Sequence, residues 1–443
     1  MKRTGALFVI TALFTQIIGY NLPNGGKIWA LLVAGSNDYI NYRHQADICH
    51  AYQILHANGI PDENIIVMMY DDIAYHYRNP RKGVLINHPD GPNVYKGVLK
   101  DYTGKTVNST NFLKILSGDA EGMKGIGSGR VINSGPNDHL FVNFADHGTS
   151  GLIAFPNDEL YASDLLATIK KMAANNRFAK LVMYVEACEA GSMFDKLLPE
   201  DLNVFAVTAA KPQEASYSIY YDSYLDAYLG DEFSVRWMED TDKEKTNEEK
   251  LKYQFDLVHN EIKSSHVSEY GDLTIGSMYV SDFMGFRKRN NNISASNSGL
   301  PSMDDAVSSR DVPIAILEHK FEAEVDPKKK QEYLYQLHKI RKYRRHLEKV
   351  VEEILLLGSD KDERLVQQLQ YHTYSLELDD FDCYKKLVST FSKSCFSISK
   401  NPHVLSQLHL FANVCGHPEI NEDSVVAAIK KVCSSQELIV GVH

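Results

Sequence analysis

The chain has no excess of positive charge: Lys plus Arg number 47 against 58 Asp plus Glu, a net of −11. Nucleic-acid binding needs a basic footprint, so no nucleic-acid partner is expected. Beyond the N-terminus no run reaches about 18 uncharged apolar residues, which excludes a polytopic membrane protein and predicts a soluble mature chain. No CxxC occurs, which argues against a zinc ribbon or a thioredoxin-type site. There is no HExxH, no Gly-rich phosphate loop and no metal-ligand spacing, so neither metal nor cofactor is expected. His44, His50 and His56 recur every six residues, which does not line one helix face. What is present is 443 residues, 44% hydrophobic and 24% charged. That length predicts two or three domains with a full core.

Lys2 and Arg3 precede a nearly unbroken apolar stretch, residues 5–18, which small Gly19 follows. The stretch is too short to span a bilayer comfortably, and residues 1–19 read as a secretory signal peptide. The plainer alternative is a buried N-terminal strand or helix. N-x-[ST] sequons at Asn108 and Asn292 fit glycosylation along that route. Of six cysteines, Cys383, Cys395, Cys415 and Cys433 crowd the last 61 residues and read as two disulfides with three pairings open. Cys49 falls in a helical pattern with Ala46, Tyr52 and Leu55 and reads as a small buried hydrophobe.

From 27 to 285 strand-like and helix-like runs alternate. Continuous apolar strands are expected at 28–34, 65–70, 139–144, 181–185 and 204–209, with helices over 45–58 and 164–174. That rhythm predicts an α/β layer with a mostly parallel sheet flanked by helices. Residues 287–312 are polar, rich in Ser and Asn and without periodicity, and read as an exposed linker. Beyond them the pattern is helical, with one long helix over 332–357 and shorter ones near 363–376, 383–391, 404–411 and 424–432. The long helix carries Lys339, Arg341, Lys342, Arg344, Arg345 and Lys349. Such a helix either docks on the acidic N-terminal part or presents a solvated face.

Two strings end predicted core strands: His139 to Gly148, HLFVNFADHG, and Lys180 to Gly191, KLVMYVEACEAG. In open parallel sheets ligands bind beyond the carboxyl ends of strands. His147 and Cys188 sit there, and adjacent strands would bring them together. An imidazole beside a thiol raises the thiolate fraction, and thiolate is the nucleophile. The backbone N–H groups of Gly148 and Cys188 could then face a developing oxyanion. A core histidine and a buried cysteine are the bland reading, which the matched strand ends disfavour.

These paired strings resemble those of the caspase-like cysteine peptidases and, within them, the legumain or asparaginyl endopeptidase family. Supporting strings begin at Val33 (VAGSN), Asn41 (NYRHQAD), Met69 (MYDDIAY), Gly125 (GIGSG), Glu186 (EACE) and Tyr228 (YLGD). The resemblance implies a caspase-like mostly parallel sheet with a C-terminal all-α, disulfide-stapled prodomain. It divides the chain into a signal at 1–19, a catalytic domain at 20–286 opening on a short propeptide at about 20–26, a linker at 287–325 and a prodomain at 326–443. It implies Cys188 as nucleophile, His147 as acid/base and Asn41 as orienting residue. Asp146 matches a position that forms a succinimide in some members. It implies a specificity pocket of Arg43, His44, Glu186, Ser216 and Asp231, and the pairs Cys383–Cys415 and Cys395–Cys433. An asparagine carboxamide offers one acceptor and two donor hydrogens, which an arginine and two carboxylates can answer. Cleavage after Asn, with Asp accepted only in acid, is the expected activity. Protein and peptide substrates, cystatin-type inhibitors and the chain's own prodomain as inhibitor are the expected partners. An acidic lysosome- or vacuole-like compartment, a gut lumen or the extracellular space is the expected setting.

Two departures stand out. A family Ser-Ser-Tyr string reads Ala215-Ser216-Tyr217 here, so one pocket hydroxyl is missing. No Asn occurs from 298 to 400, where relatives commonly carry a processing Asn. Self-processing would then use Asn297, the run from Asn290 to Asn292, or Asp304, Asp305 or Asp311. Peptide ligation through the same thioester is the alternative enzyme reading. A transamidase for lipid anchoring is disfavoured by the stapled prodomain and the absence of a late apolar span. A non-catalytic binding protein on an inactive scaffold is disfavoured by intact Asn41, His147 and Cys188.

Overall fold

In a computed structural model, residues 22, 24–286, 305–372, 375–398 and 401–434 are described. The expected signal segment 1–19, Asn290 to Asn292, Asn297 and Asp304 lie outside them. The chain opens with β1 (Ile28–Ala34), α1 (Tyr42–Ala57) and β2 (Ile65–Met68). After α2 (Ser109–Ser117) comes β3 (His139–Ala145), then the short β4 (Gly148–Thr149), β5 (Leu152–Ala154) and β6 (Glu159–Tyr161). Next come α3 (Ala162–Ala174), β7 (Lys180–Glu186), β8 (Val204–Thr208), β9 (Tyr217–Asp222) and β10 (Ala227–Asp231). Then follow α4 (Glu232–Lys243), α5 (Leu251–Glu261), β11 (Ser268–Gly271) and α6 (Ser281–Met284).

The main sheet has the order β11-β8-β7-β3-β1-β2, parallel throughout except for the β11 edge. The continuous apolar runs are explained by burial of both faces. Along β1, Trp29, Leu31 and Val33 enter one core with α2 and α3, while Ile28, Ala30, Leu32 and Ala34 enter another with α1, α4 and α5.

Past the break lie β12 (Val307–Ser308), α7 (Val312–Ala323), α8 (Pro327–Gly358) and α9 (Glu363–Tyr371). Then come α10 (Phe381–Ser394), α11 (Leu405–Gly416) and α12 (Glu422–Cys433). The long helix starts earlier than its periodicity predicts because Asp326 caps it and Pro327 fills its first turn. α7 lies within the segment expected to be linker, entered through Asp311 with Pro313 in its first turn. Cys383 pairs with Cys415 and Cys395 with Cys433, tying α10 to α11 and the end of α10 to α12.

The C-terminal helices share one apolar core with the sheet: Leu152, Ile153 and Phe155 belong to the same cluster as Phe381, Leu405 and Leu408. Gly151 has φ 70°, which favours glycine, and a Cβ there would lie 2.7 Å from the Leu376 Cδ1 tip and 3.1 Å from the Phe381 ring, so the helices pack directly on its backbone. The basic run on α8 makes these ion pairs among the described residues. Arg341 pairs with Glu318 on α7, and Arg344 pairs with Asp311. Lys342, Arg345 and Lys349 are exposed. Among the described residues no helix is long and apolar enough to cross a membrane.

Candidate active site

The parallel register sets Ala145 opposite Glu186, and Asp146 N–H donates to Glu186 O at 3.0 Å. His147 and Cys188 therefore stand at the same offset beyond the carboxyl ends of neighbouring strands. A Cβ on Gly148 would lie 2.6 Å from Cys188 O and 3.1 Å from Ala187 Cβ, so this close approach requires glycine. Ala154 N–H donates to His147 O, and Gly148 is opposite Ile153. Bonded pairs alternate along an antiparallel ladder, so the Gly148 N–H and C=O point away from β5.

Asn41 occupies the N-cap position of α1 without capping it. Its Nδ2 donates to Asn37 O at 2.9 Å, which turns Oδ1 toward His147 Nε2, also at 2.9 Å. An amide oxygen only accepts, so His147 carries its proton on Nε2 and its basic lone pair is on Nδ1. Ser216 N–H donates to Cys188 Sγ at 3.3 Å, and Ser216 Oγ lies 3.6 Å from the sulfur. Glu189, next in the chain, has φ 56°, a left-handed turn that a side chain rarely adopts. That turn reverses the backbone just after the candidate nucleophile.

Arg43 lies in the first turn of α1, with Asp47 one turn further on the same face. Arg43 is 1% exposed and donates from Nε to Asp231 Oδ1 at 2.8 Å. Its Nη2 has no hydrogen-bond partner. Glu186 Oε2 accepts from Ser234 N–H at 2.9 Å and from Ser234 Oγ at 3.0 Å, at the N-terminus of α4, while Oε1 is unpartnered. Asp231 also accepts from Ser218 Oγ at 3.0 Å. Burial, reinforced by the Asp231 charge, pushes the Asp47 and Glu186 carboxyls well above the ordinary range. His44 Nδ1 lies 2.6 Å from Ser36 Oγ and 3.4 Å from Asp146, and its Nε2 lies 3.4 Å from Asp231. Burial and the neighbouring Arg43 and His147 hold His44 well below its ordinary value, so it is neutral. Burial raises Asp146 well above the carboxylate range. His44, Asp146 and His147 bring nitrogen and oxygen atoms within 4.8 Å of one another. They form one network with Ser36 and Asn41.

All of the sequence-predicted catalytic and pocket residues thus gather at the carboxyl edge of the sheet. Elsewhere, Asn108 caps α2, and its Nδ2 donates to Lys105 O at 3.1 Å. Asn292 lies outside the described residues.

Residues 28–286 match the Peptidase C13 family. The chain belongs to this family. Residues 335–433 match the legumain prodomain. Legumain of Mus musculus is 46% identical over 423 residues, 94% of this chain and 95% of the mouse protein. Legumain of Homo sapiens is 43% identical over 418 residues, 93% of this chain and 95% of the human protein. The vacuolar-processing enzyme beta-isozyme of Arabidopsis thaliana is 40% identical over 91% of this chain and 86% of its own length. As a C13 peptidase the chain is a cysteine endopeptidase, and it has the expected α/β layer, a mostly parallel sheet flanked by helices.

Sequence reasoning missed several residues of this C13 site. Asp47 and Ser218 join the buried polar cluster around Asp231: Asp231 N–H is 3.3 Å from Asp47 Oδ2, and Ser218 Oγ donates to Asp231 Oδ1 at 3.0 Å. Ser309, from the segment expected to be a free linker, is 3% exposed inside it. β12 adds to β9 as an antiparallel strand, with Val307 opposite Ser218 and Ser308 opposite Tyr217. Ser309 N–H donates to Ser216 O at 2.9 Å. Ser309 Oγ lies 3.2 Å from both Ser216 Oγ and Ser218 Oγ, and 3.3 Å from Asp231 Oδ1. Of the aspartates considered for processing, Asp305 accepts from Tyr221 N–H at 2.7 Å and Asp311 is held by Arg344.

Proposed function

We propose that this peptidase cleaves after asparagine, takes aspartate only in acid, and is made latent by its own C-terminal region. The observation that carries the specificity is the pattern of open hydrogen-bond positions in the pocket. Arg43 Nη2 is an unused donor, and Glu186 Oε1 is an unused acceptor. Asp231 Oδ2 is likewise without a hydrogen-bond partner among the described residues, with His44 Nε2 3.4 Å away. A carboxamide oxygen and its NH2 group answer all three. The Ser309 hydroxyl, a shorter group, leaves Arg43 Nη2 unanswered.

In this reading Cys188 Sγ adds to the backbone carbonyl carbon of the substrate Asn while His147 Nδ1 takes the thiol proton. Gly148 N–H and Cys188 N–H face the oxyanion. The imidazolium, held by Asn41, returns the proton to the departing amine and leaves a thioester. Water, deprotonated by His147, then attacks the thioester, and the sulfur departs and regains a proton. An incoming amine in place of water gives ligation through the same residues, and product mass separates the two outcomes.

The proposed division is a catalytic part at 20–286 and a cover at 326–443, with β12 and α7 in the 287–325 segment between them. Latency is supported by β12 and Ser309 filling the cleft and by Ile398, Pro402 and Leu405 lining the groove beside Asn41 and His147. The vacuolar name of the Arabidopsis relative supports an acidic compartment, reached through the signal peptide proposed at 1–19.

The test uses matched Asn, Asp and Gln peptides with acid-treated full chain from about pH 4, near the ordinary Asp pKa, to about pH 7, where Asp is ionised. Asn peptides should be cut throughout, Asp peptides only near the acid end and Gln peptides hardly at all. Equal Asp and Asn turnover at neutral pH sinks the reading.

A further inference from the structure

The segment in the cleft does more than fill the pocket. It runs antiparallel to β9, as an extended peptide would when added to that edge. With Ser309 in the pocket, the next residue is Arg310, on the side where a leaving group would lie. Arg310 Nη2 donates to Glu189 Oε1 at 2.6 Å and to Gly148 O at 3.1 Å. Glu189 is 4% exposed, and its Oε2 accepts from Ser150 Oγ at 2.6 Å. Gly148, Ser150 and Glu189 all belong to the catalytic part, so they stay when the segment leaves. The Arg310 backbone carbonyl is held separately by Arg344 Nη2 of α8 at 2.6 Å, so the side-chain contact is not needed to fix the backbone there.

We infer that Glu189 and the Gly148 carbonyl form a subsite for a cationic side chain immediately after the cleaved residue, so that Asn-Arg and Asn-Lys bonds are preferred substrates. Once the segment is gone, Glu189 Oε1 has lost its cation, while Oε2 keeps the Ser150 hydroxyl. A substrate guanidinium at that position restores the pair through a charge-assisted bond. The inference rests on the asparagine reading for the position of the cut. It adds a second determinant, on the opposite side of the bond.

The test compares three peptides that differ only after Asn: Arg, citrulline or Leu. Citrulline keeps the shape of arginine and removes the charge. Acid-treated full chain should cleave the Arg peptide with a kcat/KM about tenfold above the citrulline peptide. In Glu189→Gln the Arg-to-citrulline ratio should fall to about one. Equal cleavage of the Arg and citrulline peptides by the unaltered enzyme overturns the subsite, and so does a ratio that survives Glu189→Gln. The peptide comparison needs no variant, so a poorly folding Glu189→Gln does not blunt it. Failure to cut any of the three peptides sinks the asparagine reading and this inference together. Good cutting of Asn-Leu without an Arg preference sinks the subsite alone.

Discussion

The residues before 287 and those after 304 meet in one apolar core, but the first part also buries a cluster of charged and polar side chains beside its apolar ones. The first part hides Asn41, Arg43, His44, Asp47, Asp146, Glu186 and Asp231, each no more than 8% exposed. Several of their hydrogen-bonding atoms are unpartnered. The second part buries mostly Leu, Val, Ile and Phe around two disulfides. An open buried polar atom costs stability and is kept where a ligand completes it. An apolar core with covalent staples has no such need of a ligand. The contrast teaches that substitutions in the first part should cost turnover, and substitutions in the second should cost latency.

The sharpest way to break this contrast is Arg43→Gln. Losing a charge-assisted bond to the substrate carboxamide should lower kcat/KM on Asn peptides by roughly a hundredfold. An activated variant with near-normal Asn turnover would refute the pocket. Removing a staple should do the reverse. Cys383 and Cys415 close a separation of 32 residues, and losing such a link costs about 3 kcal/mol of cover stability. The double alanine variant should show a lower melting transition for the helices and activity leaking at neutral pH, while kcat on Asn peptides stays unchanged. A lowered kcat with latency intact would overturn the division of labour.

The smallest effects are in how pH moves the cover. Burial, with Arg344 and Arg310 alongside, holds His403 down to about 3. When the cover lifts, the imidazole regains its ordinary value near 6.5, so the lifted state binds more protons below that pH and acid favours release. Glu159, beneath the cover, is raised to about 7 by burial, with Asp158 adding to the shift. Here the docked state binds the proton, so ionisation above the ordinary carboxylate range weakens docking. His403→Gln should therefore hold the cover on further into acid, and Glu159→Gln should reduce residual activity at neutral pH and above. Activity of the full chain scanned against pH reads both. Identical shifts from the two variants would contradict these signs.

Much of the α/β part was legible because buried parallel strands leave continuous apolar runs. β1 spans the seven residues predicted, and β3 and β7 differ by one or two at their ends. His147 and Cys188 were legible because strand ends in such sheets face ligands. Ser309 and Arg310 were not. A two-residue strand such as Val307–Ser308 has no period to detect, and its pairing with β9 spans some ninety residues. Glu189 lay inside a quoted string, but its use became visible only with Arg310, 121 residues away. α7 escaped notice because its apolar residues are not confined to one stripe, although the Asp-Val-Pro start was there to be read.

Tyr161 meets Tyr384 edge to face, and Gly151 lies against Leu376 and Phe381. Shedding the helices would bare that greasy patch to water beside the working cleft. Patches of this kind invite self-association or capture by another surface. On the proposed reading, an enzyme that sheds the helices would trade latency for stickiness, and its useful lifetime would depend on how soon something else shelters the same spot.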